Sequence, residues 1–349
     1  MYAFYYSIFI YHNIIIQYMN TFIKIILILF FIEIIILIYN LFCGIHKYFL
    51  LNEINLYEKY GTIDNSNPYV VITGASNGQG KYFALEFAKR NFNLLLIGSK
   101  NTDNTRNIIE KLYPNCKIKI IYKDFTQAIN KNFYDDIQKE INELDMNISI
   151  FINNVAYRVG WIGYENLSND NIIDTISVKP ISYSILTRMI IPIFKKRKEY
   201  GLKSCLINIS AQCMYNTHFL GNLFSPDISV PYLNVYEASN AYTFYFTNSI
   251  YKEYKNDFDI LNITPGAVIT QNTPYLKNTI FAIRDEKYVS NIMKLIGNVR
   301  GVTCGYWGHA ISPYLINIFP FIKHNILEKV GKNIAIDFMN KNINNTKII

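Results

Sequence analysis

Residues 69–81 read YVVITGASNGQGK, and this stretch decides the fold. Tyr69–Thr73 is a short, mostly β-branched run, which predicts a strand. The run ends in a turn with the spacing G-x-x-x-G-x-G, and a stretch with helical periodicity, Lys81–Arg90, follows it. Glycines let a chain turn sharply and bring backbone N–H groups to a diphosphate at a helix N-terminus, so this order predicts a dinucleotide site rather than a plain tight turn. We expect its binding residues to be Thr73, Gly74, Ser76, Asn77, Gly78, Gln79 and Gly80.

The alternation of strand and helix continues along the chain. Strands are predicted at Leu94–Ile97, Lys117–Tyr122, Ile148–Ile152, Cys205–Ser210 and Ile260–Thr264. Helices are predicted around Ile108–Leu112, Ile181–Phe194 and Tyr236–Tyr254. This pattern predicts an α/β fold, a Rossmann-type doubly wound parallel sheet with helices on both faces. Ligands of such sheets bind outside the carboxyl ends of the strands.

The end of the second strand bears on the choice of cofactor. A nicotinamide cofactor with a free 2′-hydroxyl usually calls for an Asp or Glu there. This chain has Gly98, Ser99 and Lys100 instead. Since no acid repels a 2′-phosphate and Lys100 can attract one, the sequence favours NADP(H) over NAD(H), with Ser99 and Lys100 as binding residues.

The first 50 residues predict a membrane anchor. Ile25–Phe42 is apolar over about the length that crosses a hydrocarbon core and is interrupted only by Glu33. Met1–Tyr18 is nearly as apolar and is predicted to form either a second, weaker span or an interfacial helix. A cleaved signal peptide fits poorly, because no basic segment precedes the apolar run. We therefore divide the chain into an anchor at 1–50 with one or two apolar segments, a linker at 51–68, a Rossmann domain at 69–325 and a tail at 326–349.

Composition narrows the function classes. Of 349 residues, 50% are hydrophobic and 17% are charged, which is too apolar for a disordered tail. The net charge of +8 is scattered and forms no basic stripe, so a lipid bilayer is a better partner than a nucleic acid. The five cysteines form no C-x-x-C pair and are predicted to be free thiols in a reducing compartment.

Several motifs, taken together, resemble the short-chain dehydrogenase/reductase family. They are Thr73-Gly74-x-x-x-Gly78-x-Gly80, Asp124, Asn153-Asn154-Val155, Tyr236 and Pro265-Gly266, across residues 68–275. The apolar N-terminus, the NNV variant and the late Gly305-Tyr306-x-x-His309-Ala310 segment are similar to one branch, the endoplasmic-reticulum very-long-chain 3-oxoacyl-CoA reductases, also called microsomal 17β-hydroxysteroid dehydrogenases. That likeness extends to about residue 325.

The resemblance implies a role for each matching position. Asp124 would bond the adenine amine, and Asn153, Asn154 and Val155 would lie under the adenosine ribose. Pro265, Gly266, Val268 and Thr270 would frame the nicotinamide and its carboxamide. Tyr236 would be the general acid that protonates the substrate carbonyl oxygen.

At three catalytic positions this chain departs from the family pattern. The family places a Lys four residues after the tyrosine to lower its pKa and bind the ribose, and here that position is Asn240. Where the family has an Asn on the preceding helix, this chain has Lys179, whose ammonium we expect to reach the same neighbourhood. Ser210 is retained, but Ala211 takes the place of the serine that bonds the substrate carbonyl, unless the longer loop up to Tyr236 shifts the register.

The resemblance implies a membrane-anchored oxidoreductase that reduces a 3-oxoacyl-CoA in fatty acid elongation, or a steroid ketone. Its partners would be the acyl-CoA or steroid, the bilayer, and a second copy or elongation-complex proteins. It would be located in the endoplasmic reticulum membrane with its catalytic domain in the cytosol. Because of Asn240 and Ala211, the alternative is a catalytically degenerate nucleotide-binding pseudoenzyme that acts as a scaffold in a membrane complex.

Overall fold

The computed structural model describes residues 2–62, 64, 66–157, 159–212, 231–273, 276–318, 329 and 332. The chain divides into two compact units, Met1–Leu51 and Asn52–Ile349. Most of the loop at 211–235 and, apart from Lys329 and Lys332, the whole tail at 326–349 lie outside the described residues.

The N-terminal unit is one uninterrupted helix, α1 (Tyr2–Ile45), which continues into a π-helical turn at His46–Leu50. At 1.5 Å per residue its 44 residues extend about 66 Å. By length and composition, Ile16–Leu50 is a candidate membrane span with a mean hydropathy of 2.9. The two apolar segments seen in the sequence thus belong to a single helix, and a candidate span is present as expected.

The second unit is built on a parallel sheet. Among the described residues it has seven strands in the order β3-β2-β1-β4-β5-β6-β9. They are β1 (Tyr69–Thr73), β2 (Asn93–Gly98), β3 (Ile118–Tyr122), β4 (Ile148–Asn153), β5 (Cys205–Ile209), β6 (Asp259–Ile263) and β9 (Gly301–Thr303). A second small sheet pairs β7 (Ala267–Ile269) with β8 (Ala282–Arg284). The strand order reverses between β1 and β4, which is where ligands of doubly wound sheets bind.

Helices connect the strands. They are α2 (Leu56–Lys59), α3 (Gly78–Ala88), α4 (Thr102–Leu112), α5 (Asp135–Leu144), α6 (Asn169–Ile176), α7 (Ser182–Glu199), α8 (Asn234–Tyr254), α9 (Asp285–Leu295) and α10 (Trp307–Ile318). A π-helical turn, Ser177–Ile181, joins α6 to α7 and contains Pro180. The expected doubly wound α/β fold is confirmed.

The core lies on both faces of the sheet. Val70 and Ile72 of β1 pack on the side that holds α3 and α9, whereas Val71 packs on the side that holds α5 and α7. Because successive side chains of a strand point to opposite faces, a strand covered on both sides is apolar throughout. This is why β1 and β2 contain continuous apolar runs, Val70–Ile72 and Leu94–Ile97, rather than alternating ones.

Residues 52–68 do more than link two units. Leu56 and Tyr60 are buried in the core, and the Tyr60 hydroxyl donates to Asp259 Oδ2 at 2.8 Å. Asp259 is 2% exposed and also pairs with Lys59 at 2.9 Å and with Arg300 at 2.5 Å. The predicted linker is therefore in part a structural element. The buried carboxylate of Asp259 joins it to the amino-terminal end of β6.

We predict that Asp259→Asn lowers the free energy of unfolding by about 3 kcal/mol, because two cations and a buried phenol lose their common charged partner. Urea unfolding of the detergent-solubilised full chain measures the loss. The control is Asp257→Asn, which breaks the exposed pair between Asp257 and Lys198 and is expected to cost less than about 1 kcal/mol. Equal losses in the two variants would contradict this assignment.

Candidate active site

The turn after β1 uses the conformational freedom of glycine. Gly74 and Gly78 adopt φ angles of +68° and +57°, which L side chains rarely allow. The Gly74 N–H donates to the Ile97 carbonyl at 2.8 Å, and α3 begins at Gly78. The first N–H groups of a helix have no partner within the helix and attract anions. The predicted sequence of strand, turn and helix is confirmed here.

Close packing determines the shape of this turn. A Cβ atom at position 80 would lie 2.2 Å from the Gly74 carbonyl oxygen and 2.6 Å from Asn154 Nδ2. Asn154 Nδ2 donates to the carbonyls of Thr73 at 3.0 Å and Gly74 at 3.2 Å. The Thr73 hydroxyl oxygen accepts from the backbone N–H groups of Asn154 and Val155 at 3.0 and 3.2 Å. The carboxyl ends of β1 and β4 are thereby joined beneath the turn.

The outer side of the turn is packed less tightly than its inner side. A Cβ at Gly78 would meet the Thr270 side chain at 3.7 Å and a carboxylate oxygen of Asp285 only at 4.0 Å. Gln79 Oε1 is buried and has no hydrogen-bond partner among the described residues. A glycine turn at which a Cβ of residue 78 would meet no atom closer than 3.7 Å, with an unsatisfied polar atom on the next residue, fits the diphosphate of a dinucleotide. Ser76, Asn77 and Gln79 would line this site.

Hydroxyl groups gather at the end of β2. The Ser76 hydroxyl lies 3.0 Å from that of Ser99 and 2.9 Å from that of Thr102. A Cβ at Gly98 would lie 2.8 Å from Thr102 Oγ1, so this cluster needs a glycine at position 98. Ser99 and Lys100 are both exposed. Sequence reasoning missed Thr102, although its place at the start of a helix next to Lys100 was a usable signal.

Asp124 follows β3 and is exposed. Its Oδ1 atom accepts from the Thr126 backbone N–H at 3.1 Å and from the Thr126 hydroxyl at 2.9 Å. Asp124 therefore caps the short helical turn that follows it. Its contact with an adenine amine stays a prediction.

Asn153 lies deeper than the resemblance implies. It is fully buried, and its Nδ2 donates to Asn208 Oδ1 at 2.8 Å and to the Thr187 hydroxyl at 3.3 Å. Asn208 in turn donates to the Thr247 hydroxyl at 2.9 Å. These bonds connect β4 and β5 with α7 and α8. Asn208, Thr187 and Thr247 were not found by sequence reasoning, because a single polar residue in an apolar run shows no partner.

Tyr236 and Asn240 lie one turn apart on α8. Asn240 is fully buried, and its Nδ2 donates to the Tyr236 carbonyl at 2.8 Å. The Lys179 ammonium, 3% exposed, donates to Asn240 Oδ1. Tyr236 itself is half-buried and packs against Trp161 and Leu233. Lys179 and Asn240, which come from different helices, are thus brought together beside Tyr236.

Tyr183 lies next to Lys179. It is fully buried, its hydroxyl donates to the Val155 carbonyl at 2.9 Å, and Lys179 Nζ lies 5.8 Å from the centre of its ring. Burial, and then the nearby Tyr236, raise the pKa of Tyr183 well above its ordinary value. Tyr183 therefore stays a protonated phenol that supports this wall of the site.

Ser210 occupies a different environment from the one its sequence neighbourhood suggests. Its hydroxyl donates to Asn262 Oδ1 at 3.0 Å, and its side chain is 2% exposed. A proton already shared with β6 is not available to a substrate carbonyl unless that bond breaks. Ala211, the next residue, has no hydroxyl to offer. A hydrogen bond from the retained Ser210 to a substrate carbonyl is thus opposed by the bond that its hydroxyl makes with Asn262.

The loop after β6 carries the last group of candidates. Gln212 N–H donates to the Pro265 carbonyl at 2.8 Å, and Gly266 N–H donates to His309 Nδ1 at 3.1 Å. Val268 is buried, and its carbonyl accepts from the Thr273 hydroxyl at 2.8 Å. The methyl group of Thr270 faces Gly78, so this loop forms the wall opposite the glycine turn.

Comparisons with known proteins agree with this geometry. A model of the short chain dehydrogenase family matches residues 68–280. Hydroxysteroid dehydrogenase-like protein 1 of Gallus gallus is 28% identical over 272 residues, which cover 75% of this chain and 73% of that protein. The very-long-chain 3-oxoacyl-CoA reductase let-767 of Caenorhabditis briggsae is 26% identical over 297 residues, which cover 81% of this chain and 84% of that protein.

A solved structure shares the fold. The short-chain dehydrogenase from Sphingobium yanoikuyae in complex with NADPH matches with a TM-score of 0.54 at 20% sequence identity, covering 68% of this chain and 87% of that one. The family match spans more than half of the chain, and the curated relatives carry the same family's activities in their names. The chain therefore belongs to the short chain dehydrogenase family of oxidoreductases and is related to very-long-chain 3-oxoacyl-CoA reductases and steroid dehydrogenases.

Proposed function

We propose that this oxidoreductase is a membrane-anchored, NADP(H)-dependent reductase of lipid ketones, either 3-oxoacyl-CoA or steroid. The observation that carries the proposal is the contact of the Lys179 ammonium with Asn240, one helical turn from Tyr236. It supplies a positive charge to a site whose sequence lacks the usual lysine. When bound, the cofactor supplies the hydride, and the chain supplies orientation and a proton.

Binding of the cofactor is assigned to four groups of residues. The turn from Gly74 to Gly80 holds the diphosphate through backbone N–H groups. Ser99 and Lys100 at the end of β2 bind the 2′-phosphate, because no acidic residue at this position repels it. The loop from Pro265 to Thr270 closes over the nicotinamide half, and Asp124 lies at the adenine end.

The proton comes from Tyr236. A phenol with an ordinary pKa of about 10 is a poor proton shuttle near neutrality, because its ionised form is too unfavourable. A nearby ammonium stabilises the phenolate and lowers that pKa. Lys179 supplies this ammonium, and Asn240 holds it in place. Lys and Asn have therefore exchanged positions relative to the family pattern.

Location and substrate are inferred from the N-terminal helix and from the relatives. Ile16–Leu50 is long and apolar enough to cross a bilayer. An anchor of this kind keeps the enzyme where long acyl chains and steroids are dissolved. The relatives named above include an acyl-CoA reductase. We therefore propose the endoplasmic reticulum membrane, with the domain that follows the anchor in the cytosol.

The pseudoenzyme alternative is favoured by two observations, the absence of a hydroxyl at Ala211 and the bond that the Ser210 hydroxyl makes with Asn262. A pseudoenzyme would bind the cofactor and would not reduce a substrate. The function assay below separates it from the reductase.

We predict that the detergent-solubilised full chain oxidises NADPH when a long-chain 3-oxoacyl-CoA or a steroid ketone is added. Absorbance at the nicotinamide band follows the reaction. Tyr236→Phe is expected to reduce the rate by about 10² to 10⁴-fold while NADPH still quenches protein fluorescence, because only the proton donor is lost. Quenching by NADPH without turnover on any of these ketones would establish the scaffold instead.

We predict that Lys179→Asn lowers kcat by about 10²-fold or more. It also moves the pH of half-maximal alcohol oxidation upward, because loss of the ammonium raises the pKa of Tyr236. The double variant Lys179→Asn with Asn240→Lys restores the family arrangement and is expected to return kcat to within about tenfold of the starting value. Lys252→Asn, on α8, serves as the control and leaves kcat unchanged. A double variant no better than Lys179→Asn would refute the exchange.

We predict that Lys100→Glu weakens NADPH binding by about tenfold or more, since a carboxylate repels the 2′-phosphate, and leaves NADH binding unchanged. Fluorescence titration of both cofactors measures the effect. Lys111→Glu, an exposed change at the far end of α4, is the matched control. If Lys100→Glu changes the binding of both cofactors equally, Lys100 does not contact the 2′-phosphate.

A further inference from the structure

A histidine near the C-terminal end of the described fold contacts the loop after β6. His309 lies on α10, beyond the part of the chain that the family model matches, and is 1% exposed. Its Nδ1 atom accepts from the Gly266 backbone N–H at 3.1 Å. Its Nε2 atom lies 3.1 Å from the Ala267 carbonyl oxygen. One side chain thus holds the backbone of two successive residues of this loop.

The two bonds together determine the protonation of the ring. Since Nδ1 accepts a hydrogen bond from an N–H group, it carries no proton, and Nε2–H must donate to the Ala267 carbonyl. Burial lowers the pKa of His309 to about 4, so the neutral form persists at neutral pH. His309 is therefore a neutral imidazole in a single tautomer rather than an acid or a base.

Neighbouring groups allow the ring little freedom. A Cβ at Gly266 would lie 2.8 Å from His309 Cδ2 and 2.6 Å from Gln212 Oε1, so only glycine fits between them. Gln212 Nε2 donates to the His309 carbonyl, and the Gln212 N–H holds Pro265. The Tyr306 ring meets the imidazole edge-on, with 5.2 Å between ring centres. Loop, imidazole and Gln212 form one packed unit.

The loop that His309 holds is a wall of the cofactor site. Thr270, three residues beyond Ala267, faces Gly78 of the glycine turn. A displacement of Gly266 and Ala267 therefore changes the gap in which the nicotinamide half lies under the proposed function. The adenine half, which would contact Ser99, Lys100 and Asp124, lies at the ends of other strands and is not affected.

We propose that His309 is a positioning residue, which fixes the Pro265–Val268 turn against the nicotinamide half of the cofactor through the backbone of Gly266 and Ala267. This inference rests on the proposed function for the identity of the ligand. It adds a residue that touches neither substrate nor cofactor, and it explains why the chain needs the segment after β9.

Binding of NADPH compared with binding of 2′,5′-ADP tests the proposal, because the second ligand lacks the nicotinamide half. In the full chain, His309→Leu is expected to weaken NADPH binding by about 30-fold, the equivalent of two hydrogen bonds of ordinary net strength. Binding of 2′,5′-ADP should change by less than about threefold. Calorimetric titration in detergent measures both, and Ile311→Ala, an exposed change on the same helix, is the control.

Two further variants keep the test independent of folding. In His309→Asn the amide oxygen stands near the place of Nδ1 and keeps the bond to Gly266, and in His309→Gln the amide nitrogen stands near the place of Nε2 and keeps the bond to Ala267. Each should weaken NADPH binding by about fivefold, less than His309→Leu does. A merely structural role would weaken both ligands together and lower the unfolding temperature in proportion.

The results distinguish the two proposals. Equal weakening of NADPH and 2′,5′-ADP in all three variants, or no weakening in any, overturns the inference about His309. If the wild-type chain binds both ligands and His309→Leu loses only NADPH, the inference holds even when no ketone is reduced. If the wild-type chain binds neither ligand, both proposals fail.

Discussion

The structure depends on a close approach of two backbone segments, the carbonyl group of Gly74 and the first turn of α3 at Gly80. A side chain at position 80 would bring a carbon atom within 2.2 Å of that oxygen, so the approach exists only because position 80 is glycine. Gly74 is needed for its φ angle of +68°, which L side chains rarely adopt. Asn154 then bonds to the carbonyls of Thr73 and Gly74 from β4. Together these contacts determine where α3 begins, and the cofactor site of the proposed function is built on that helix start.

Polar side chains at the ends of buried strands orient the rest of the site. A buried amide or hydroxyl is costly unless it finds a partner, so each such group selects a particular neighbour. Asn153 selects Asn208, Asn208 selects Thr247 on α8, and Ser210 selects Asn262. The helix that carries Tyr236 is thereby fixed relative to the sheet. The same requirement removes the Ser210 hydroxyl from the list of groups ready to bind a substrate.

The contact between Lys179 and Asn240 places a buried ammonium one helical turn from Tyr236. An ammonium that is 3% exposed needs a polar partner, and an amide oxygen one turn from Tyr236 provides it. The π-helical turn at Ser177–Ile181, which contains Pro180, lies just before α7 and carries this lysine. Lys179 is therefore buried against Asn240, whose amide nitrogen also donates to the Tyr236 carbonyl.

Local patterns in the sequence are enough to predict the doubly wound sheet, the glycine turn and the apolar N-terminal helix, because each depends on periodicity or on the backbone freedom of glycine. The family also follows from the sequence, through motifs such as Asn153-Asn154 and Pro265-Gly266. Only the tertiary structure decided the contact of Lys179 with Asn240, the partner of Ser210, the anchoring of residues 52–68 by Asp259, and the bonds of His309. Each of these joins residues at least 42 positions apart in the chain. No local pattern encodes such partners, since they meet only when strands and helices distant in sequence pack together.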